Sequence, residues 1–413
     1  MGGSVGELDG AATAWILAAT SMVVLMTFGV AFFYGGLVRR KNVASMIALS
    51  LISLFIVSIQ WAVIGFSLSF APSMGGVVGG LDYVLLRGIG MEPLEGTSIP
   101  GVLYAAFQMA FAAITLAILT SPFAERAKLT GFIAFGLLWT TLVYDPVAHW
   151  VWGGGGLHSI VEGLTGATPI DFAGGLVVHT ASGFSALAVA LVIGPRLGFE
   201  ESHIPPHSIP LTMIGGALLW FGWFGFNAGS ALAADGLAGN ALLVTHLAAS
   251  AGAASWALAS WSHGRPGSLG MISGAVAGLV AITPAAGFVG PMDSLVIGAL
   301  AGLASYKALA WRLDRGLDES LDAWAIHGVS GVLGSILTGV FAREDIGGVP
   351  GLLEGNPSLL AAQVVDAVII IVYSLAVTLA IARLVDGLIG LRVTPTEEYV
   401  GIDISQHGEE AYR

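Results

Sequence analysis

Two histidines stand in stretches that otherwise hold almost nothing but apolar residues. His179 lies within "DFAGGLVVHTASG" (171–183) and His327 within "DAWAIHGVSGVLG" (322–334). A neutral imidazole offers one donor and one acceptor and titrates near neutral pH. In a soluble core such a ring is most simply a packing residue, hydrogen-bonded to a neighbouring helix. In a stretch long enough to cross a bilayer the balance reverses, because an ionisable group there is costly and usually lines a pathway. The two also sit in matching motifs, "HTASG" at His179–Gly183 and "HGVSG" at His327–Gly331, each with an aspartate upstream, Asp171 and Asp322. That repetition argues against two packing accidents. Facing rings could share a proton and present lone pairs to a small hydrogen-bond donor.

The elements that must position them are membrane helices. The 413 residues are 55% hydrophobic and only 10% charged, where a soluble domain carries about 25% charged residues. The mean hydropathy is +0.85. Apolar runs of roughly 20 residues, the length a bilayer demands of a spanning helix, recur along nearly the whole chain. They predict an all-α polytopic membrane protein with about eleven spans: 11–34, 43–70, 101–122, 129–147, 171–193, 210–231, 239–260, 268–285, 293–311, 322–342 and 359–386. Polar, Gly/Pro-rich connections such as "RLGFEESHIPPHS" (196–208) separate them, and none is long enough for a second soluble domain. The 59 glycines suit close helix approach. The two histidine motifs are five spans apart and so run in opposite directions, the mark of an inverted-topology repeat with its site near the midplane. The halves are about 11–193 and 210–342, and residues 387–413 form a tail after the last span.

The cations orient this arrangement. With the N-terminus outside, Arg39, Arg40, Lys41, Arg126, Lys128, Arg196, Arg265, Arg312, Arg315, Arg392 and Arg413 fall in cytoplasmic segments. Lys307 and Arg383 sit near cytoplasmic helix ends, where they can snorkel, and only Arg87 and Arg343 are left outside. That asymmetry obeys the positive-inside rule and supports an odd number of spans. The opening "MGGSVGELDG" lacks the basic flank of a signal peptide and reads as an exported mature end.

Other side chains fit a cation pathway. His179 follows Asp171 by eight residues, about 12 Å along a helix, so an outer-rim Asp171 puts His179 near mid-bilayer. Asp171 is equally readable as a helix cap and as a source of negative potential favouring a cation; the two are compatible. Aromatics cluster at the predicted outer ends: "FQMAF" (Phe107–Phe111), "HWVWGGGG" (His149–Gly156) and "WFGWFGFNAGS" (Trp220–Ser230). An interfacial aromatic belt explains most of the 11 tryptophans. Trp152, beside four glycines that suit a tight bend, is better read as a face for a small cation, with Ser230 adding one acceptor.

Several chemistries are excluded. With no cysteine there is no disulfide, thiolate catalysis or Cys-based metal site. There is no H-E-x-x-H, no phosphate-binding G-x-x-x-x-G-K-[ST] and no G-x-S-x-G. The chain therefore reads as neither an enzyme nor an ATP-driven pump, and no cofactor is implied. Lys307 is the only lysine near the membrane, which removes a retinal Schiff base in the last span. A formal net charge of −12 argues against nucleic acid.

Seven motifs in order, "FFYGGLVRRKN", "FQMAFAAITLAILTSPFAERAK", "AHWVWGGGG", "DFAGGLVVH", "WFGFNAGS", "AITPAAGFVG" and "DAWAIHGVSGVLG", resemble the Amt/MEP/Rh ammonium transporters, on the Amt side. The tail "GLRVTPTEEYVGIDISQHGEEAYR" is similar to that family's cytoplasmic tail. The resemblance implies eleven helices in two inverted five-helix halves plus a final helix, in a homotrimer of the cell membrane with one pore per subunit. It implies Phe111, Trp152 and Ser230 as an outer ammonium-recruiting site with Asp171 close by. Phe107, or Phe111 beside it, would form a stacked phenyl gate with Phe226, and His179 and His327 would be twin pore histidines. A PII-type (GlnK-like) signal protein at the cytoplasmic face is a further implied partner.

On this reading NH4+ is recruited outside, loses its proton near the gate and crosses as NH3, the proton either staying behind or following along the histidines. Two other classes are an electroneutral Rh-type channel for NH3 or CO2, against which the Trp152–Ser230 set argues, and an ammonium sensor. A sensor usually carries a fused signalling domain, for which residues 387–413 are too short. A Na+-coupled symporter ranks last, since the spans show few polar, unwound turns.

Overall fold

The computed structural model describes residues 7–199 and 204–412. The extreme N-terminus at Met1–Gly6, the centre of the 196–208 connection at Glu200–His203, and Arg413 lie outside the described residues. Among the described residues ten helices are long and apolar enough to cross a membrane. They are α1 (Gly10–Leu37), α2 (Arg40–Phe70), α3 (Gly101–Phe123), α4 (Leu129–Val151), α5 (Gly175–Ile193), α6 (Ile209–Gly229) and α7 (Gly236–Trp261). After a shorter apolar helix, α8 (Ser268–Ile282), come α9 (Pro291–Asp314), α10 (Trp324–Phe341) and α11 (Pro357–Leu388).

The predicted spans and the helices correspond one to one, with two informative differences. The span expected at 268–285 is the 15-residue α8, which ends at Ile282. Pro284 follows, with no N–H to continue the ladder. At 1.5 Å per residue α8 reaches roughly 22 Å, short of a hydrocarbon core of about 30 Å. The span expected from 171 starts only at Gly175, because Gly174 adopts a left-handed φ of 106° that only glycine takes without strain.

The helix starts follow their capping residues. Asp9 accepts from the amides of Ala11 and Ala12 at α1, and Asp235 accepts from Ala238 at α7. Such caps satisfy amides that the helix itself leaves unpaired. Four spans contain a π-helical stretch: Trp61–Gly65, Thr140–Tyr144, Gly175–Thr180 and Trp324–Gly328. π turns recur at functional sites, and the last two of these hold His179 and His327.

The histidine-bearing helices cross with their backbones in contact. A Cβ on Gly183 would sit 2.2 Å from the Gly328 nitrogen, and one on Gly331 would sit 2.7 Å from the Gly175 carbonyl oxygen. Gly183 and Gly331 are the matching last residues of "HTASG" and "HGVSG". The repeated motif thus has a packing meaning: each motif's glycine seats the other motif's helix.

Most of the loop cations gather at one end of the bundle. Asp318 pairs with Arg126 at 3.1 Å and with Arg196 at 2.9 Å, and Arg39 pairs with Glu125 at 2.7 Å. Burial opposes the charge on Asp318, but the Arg126 and Arg196 guanidiniums hold its carboxyl down at about 2. The tail lies on this basic face. Lys128 N–H donates to the Leu391 carbonyl at 2.8 Å and Val393 N–H to that of Arg126 at 3.0 Å. Asp403 accepts from the amides of Ala44 and Ser45 at the start of α2.

At the opposite end, the stretch after Trp152 contains a ten-residue helix, Gly156–Thr165, where the sequence reads as a plain connection. Leu157 and Val161 anchor it against Ala362 of α11. A short antiparallel strand pair, Ser73–Met74 with Val78–Gly79, lies nearby.

The glycine crossing gives a direct test. Gly183→Ala should destabilise the protein by about 1–3 kcal/mol through overpacking. Gly163→Ala, in a helix with nothing within 4 Å of the added carbon, should be neutral or stabilise by up to about 1 kcal/mol. Apparent melting temperatures of the detergent-solubilised variants, read by tryptophan fluorescence, compare the two.

Candidate functional site

A cavity of about 290 Å³ opens at the end opposite the basic face, lined by Tyr104, Phe107, Gln108, Phe111, Val151, Trp152, Phe172, Ser230 and Leu232. Four of the expected site residues, Phe107, Phe111, Trp152 and Ser230, therefore meet here from three separate stretches of sequence. The Phe111 ring stands edge-on to Trp152 at 6.0 Å and to Phe107 at 4.9 Å. Trp152 donates its indole N–H to the Asp171 carbonyl at 2.9 Å, which fixes the ring in place. Ser230 donates to the Phe226 carbonyl at 2.9 Å, so its oxygen lone pairs stay available.

Beneath the cavity floor, Phe111 and Phe226 lie stacked at 4.1 Å with 23° between their planes. Of the two phenylalanines named for the gate partner, it is Phe111 that stacks on Phe226, while Phe107 lies to its side. Next along comes His179, its ring 5.9 Å from Phe226 and stacked on Trp223 at 5.2 Å. The His179 and His327 rings follow at 5.2 Å, with their Nδ1 atoms 3.1 Å apart. One nitrogen must donate and the other accept, so a single proton lies between the two rings. His179 and His327 are buried, and the His179 Nε2 has no hydrogen-bond partner among the described residues.

Asp171 does not line the cavity. Its Oδ1 accepts from the amides of Gly174 and Gly175 at 2.9 and 2.7 Å, and its Oδ2 from Leu176 and Val177 at 2.8 and 3.3 Å. Burial pushes its carboxyl up and those four N–H groups pull it back, leaving it above its ordinary value. The carboxylate belongs to the start of α5, one layer behind the aromatic wall.

The aspartate upstream of the second motif, Asp322, does not play the part that Asp171 plays in the first. Asp322 turns away with a φ of 68° to pair with Arg312 at 2.5 Å. The residue that reaches the α10 start is Glu319, whose Oε2 accepts from the Trp324 amide at 3.1 Å. Glu319 precedes His327 by eight residues, as Asp171 precedes His179. Counting back from each histidine, rather than matching like with like, finds it.

Sequence reasoning also missed Trp223, held by a 2.8 Å bond from its indole N–H to Thr283, and Gln108, whose Oε1 has no partner among the described residues. Helical spacing carried the signal in both cases: Trp223 is three residues before Phe226, and Gln108 three before Phe111. Removing the Asp171 carboxylate should cost about 2–3 kcal/mol, since buried amides lose a charged acceptor. Thermal unfolding of Asp171→Ala should show it, with Asp171→Asn in between.

The family description "Ammonium Transporter Family" matches residues 14–412. Ammonium transporter Amt1 of Archaeoglobus fulgidus is 54% identical, covering 97% of this chain and 98% of its own. The ammonium transporter of Bacillus subtilis is 45% identical over 97% and 98%. Among solved structures, Saccharomyces cerevisiae Mep2 superposes with a TM-score of 0.87 at 32% identity, covering 95% of this chain and 89% of that one. A protein described as a sensor Amt protein gives 0.88 at 28% identity, over 96% and 98%. The motifs, the helical bundle and these relatives agree over nearly the whole length: the chain is a multi-pass membrane protein and belongs to the ammonium transporter family.

Proposed function

We propose that the chain recruits NH4+ in the aromatic cavity, removes its proton at the stacked phenyl pair, and passes NH3 along His179 and His327 to the cytoplasm. The observation that carries this reading is the uninterrupted sequence of Trp152, Phe111, Phe226, His179 and His327, each ring within 6.0 Å of the next.

The energetics favour a neutral passenger. A bare monovalent ion entering hydrocarbon costs tens of kcal/mol, whereas a desolvated cation–π contact returns about 2. Trp152, Phe107 and Phe111 can hold a cation at the mouth, where water still reaches it, but they cannot carry it through. NH4+ escapes by giving up H+ and moving on as NH3. K+ has no proton to give up and is excluded. The released proton goes either to cavity water or onto the imidazole pair, whose shared hydrogen bond can pass it from one ring to the other.

The topology follows from the charges. The basic face is cytoplasmic, the N-terminus lies outside and the tail, residues 387–413, lies inside. The spans number eleven, with α8 crossing as a short span continued by its non-helical turn, in two inverted halves plus α11. The protein resides in the cell membrane as a homotrimer with one pore per subunit, and its basic loops and tail form a surface for a PII-type signal protein. An ammonium-sensing role is a second reading, favoured by the likeness to the sensor Amt protein.

Purified protein in liposomes on a supported membrane should give a saturable current after an ammonium jump and none after a K+ jump. His179→Ala should cut the ammonium current by at least about tenfold, or 1.4 kcal/mol, or else admit K+. Unchanged flux with unchanged K+ exclusion would refute the relay. Internal alkalinisation without current would mean that NH3 crosses alone. Native mass measurement should give three chains per particle.

A further inference from the structure

Glu319 is a buried carboxylate that the route above does not use. Its Oε2 holds the first amide of α10, and its Oε1 lies 2.5 Å from the Ser121 hydroxyl of α3. Ser121 is placed to work in either direction. Its oxygen is also 2.9 Å from the Glu319 main-chain carbonyl, and it accepts from the Leu321 amide at 3.1 Å. When Glu319 is ionised, Ser121 donates to Oε1. When Glu319 is protonated, Oε1 donates to Ser121, and the serine proton turns to the main-chain carbonyl. No polar group is orphaned in either state, so the carboxyl can take up or release a proton without breaking the cap.

What changes is the charge at the head of the helix that carries His327. We infer that Glu319 is a positioning and charge-setting residue for His327: its carboxylate anchors the α10 start and supplies, from the cytoplasmic side, the negative charge that lets the imidazole pair carry a proton. The inference rests on the proposed ammonium route. Asp171 holds α5 in the same register from outside, through four amides and with no hydroxyl partner among the described residues. The switchable end is therefore the cytoplasmic one.

The groups around Glu319 leave it the free variable. Arg312 of α9 is engaged by Asp322 at 2.5 Å, Asp318 is engaged by Arg126 and Arg196, and Tyr34 of α1 donates to the Ile118 carbonyl at 3.1 Å. Burial is the main influence on the Glu319 carboxyl and pushes it up to about 7, with Arg312 and the Ser121 hydroxyl opposing. The sign follows: the charge is present above about pH 7 and lost as the cytoplasmic side acidifies below it.

Full-length protein in liposomes tests this, with the external pH fixed and the internal pH set between about 6 and 8. Acid inside opposes proton entry in any variant, so the readout is the ratio of wild-type to Glu319→Gln ammonium current at each internal pH. That ratio should rise from about one at pH 6 to at least about threefold at pH 8. Glu319→Asp should keep a pH dependence with a displaced midpoint. A ratio flat across the range overturns the inference even though both proteins conduct. If the wild type carries no ammonium current, charge-setting fails: with internal alkalinisation NH3 crosses without its proton, and with neither signal the transport reading fails as well. Amide hydrogen exchange then judges the positioning role alone. Corrected for intrinsic rate, protection at Trp324–Gly328 in solubilised wild type should be weaker near pH 6 than near pH 8. It should be pH-independent in Glu319→Gln, and pH-independent protection in the wild type overturns that part as well.

Discussion

Two imidazole nitrogens 3.1 Å apart in the middle of a bundle require two backbones that nearly touch. Helix axes normally stay 8–10 Å apart because side chains intervene. Here Gly183 lies against the Gly328 backbone, and Gly331 against the Gly175 carbonyl with only the small Thr180 side chain beside it, so α5 and α10 approach closely at the crossing. The π-helical stretches at Gly175–Thr180 and Trp324–Gly328 fall at the same level. The ring sequence from cavity to histidines depends on that crossing, because Phe226 and Trp223 of α6 pack against a His179 whose position it sets.

Irregular backbone at membrane depth needs its polar groups satisfied from within the protein. Asp171 and Glu319 do this for the two histidine helices, each eight residues ahead of its histidine. They act by different chemistry. Asp171 gathers four amides around one carboxylate, whereas Glu319 divides its oxygens between one amide and a serine hydroxyl. Around Glu319 the Arg126–Asp318–Arg196 cluster ties the loop after α3, the loop after α5 and the loop before α10 together.

The sequence carries much of this openly, because a bilayer imposes a length and polarity that few other constraints share. All eleven predicted spans lie on helices, and errors arose where a local residue overrode the apolar pattern: Pro284 beyond α8 and left-handed Gly174 before α5. The site was legible residue by residue but not as an arrangement. Phe107, Phe111, Trp152 and Ser230 come from distant stretches, and no periodicity says that they meet. Asp322 matches Asp171 in residue type and in lying upstream of its histidine, yet its positive φ turns it toward Arg312. The helix Gly156–Thr165 hid behind four glycines that read as a bend, although Leu157 and Val161 already had helical spacing.

Asp171 also joins the aromatic wall to the histidine helix. Its side chain closes the first turn of α5, and its carbonyl holds the indole of Trp152. The face of Trp152 is thus aligned during folding, along with the helix that carries His179. Rotational freedom that a loose ring would surrender on binding is already given up to this bond. On the proposed route the vestibule is in this sense a preformed socket, and its weak attraction serves to tell one small cation from another.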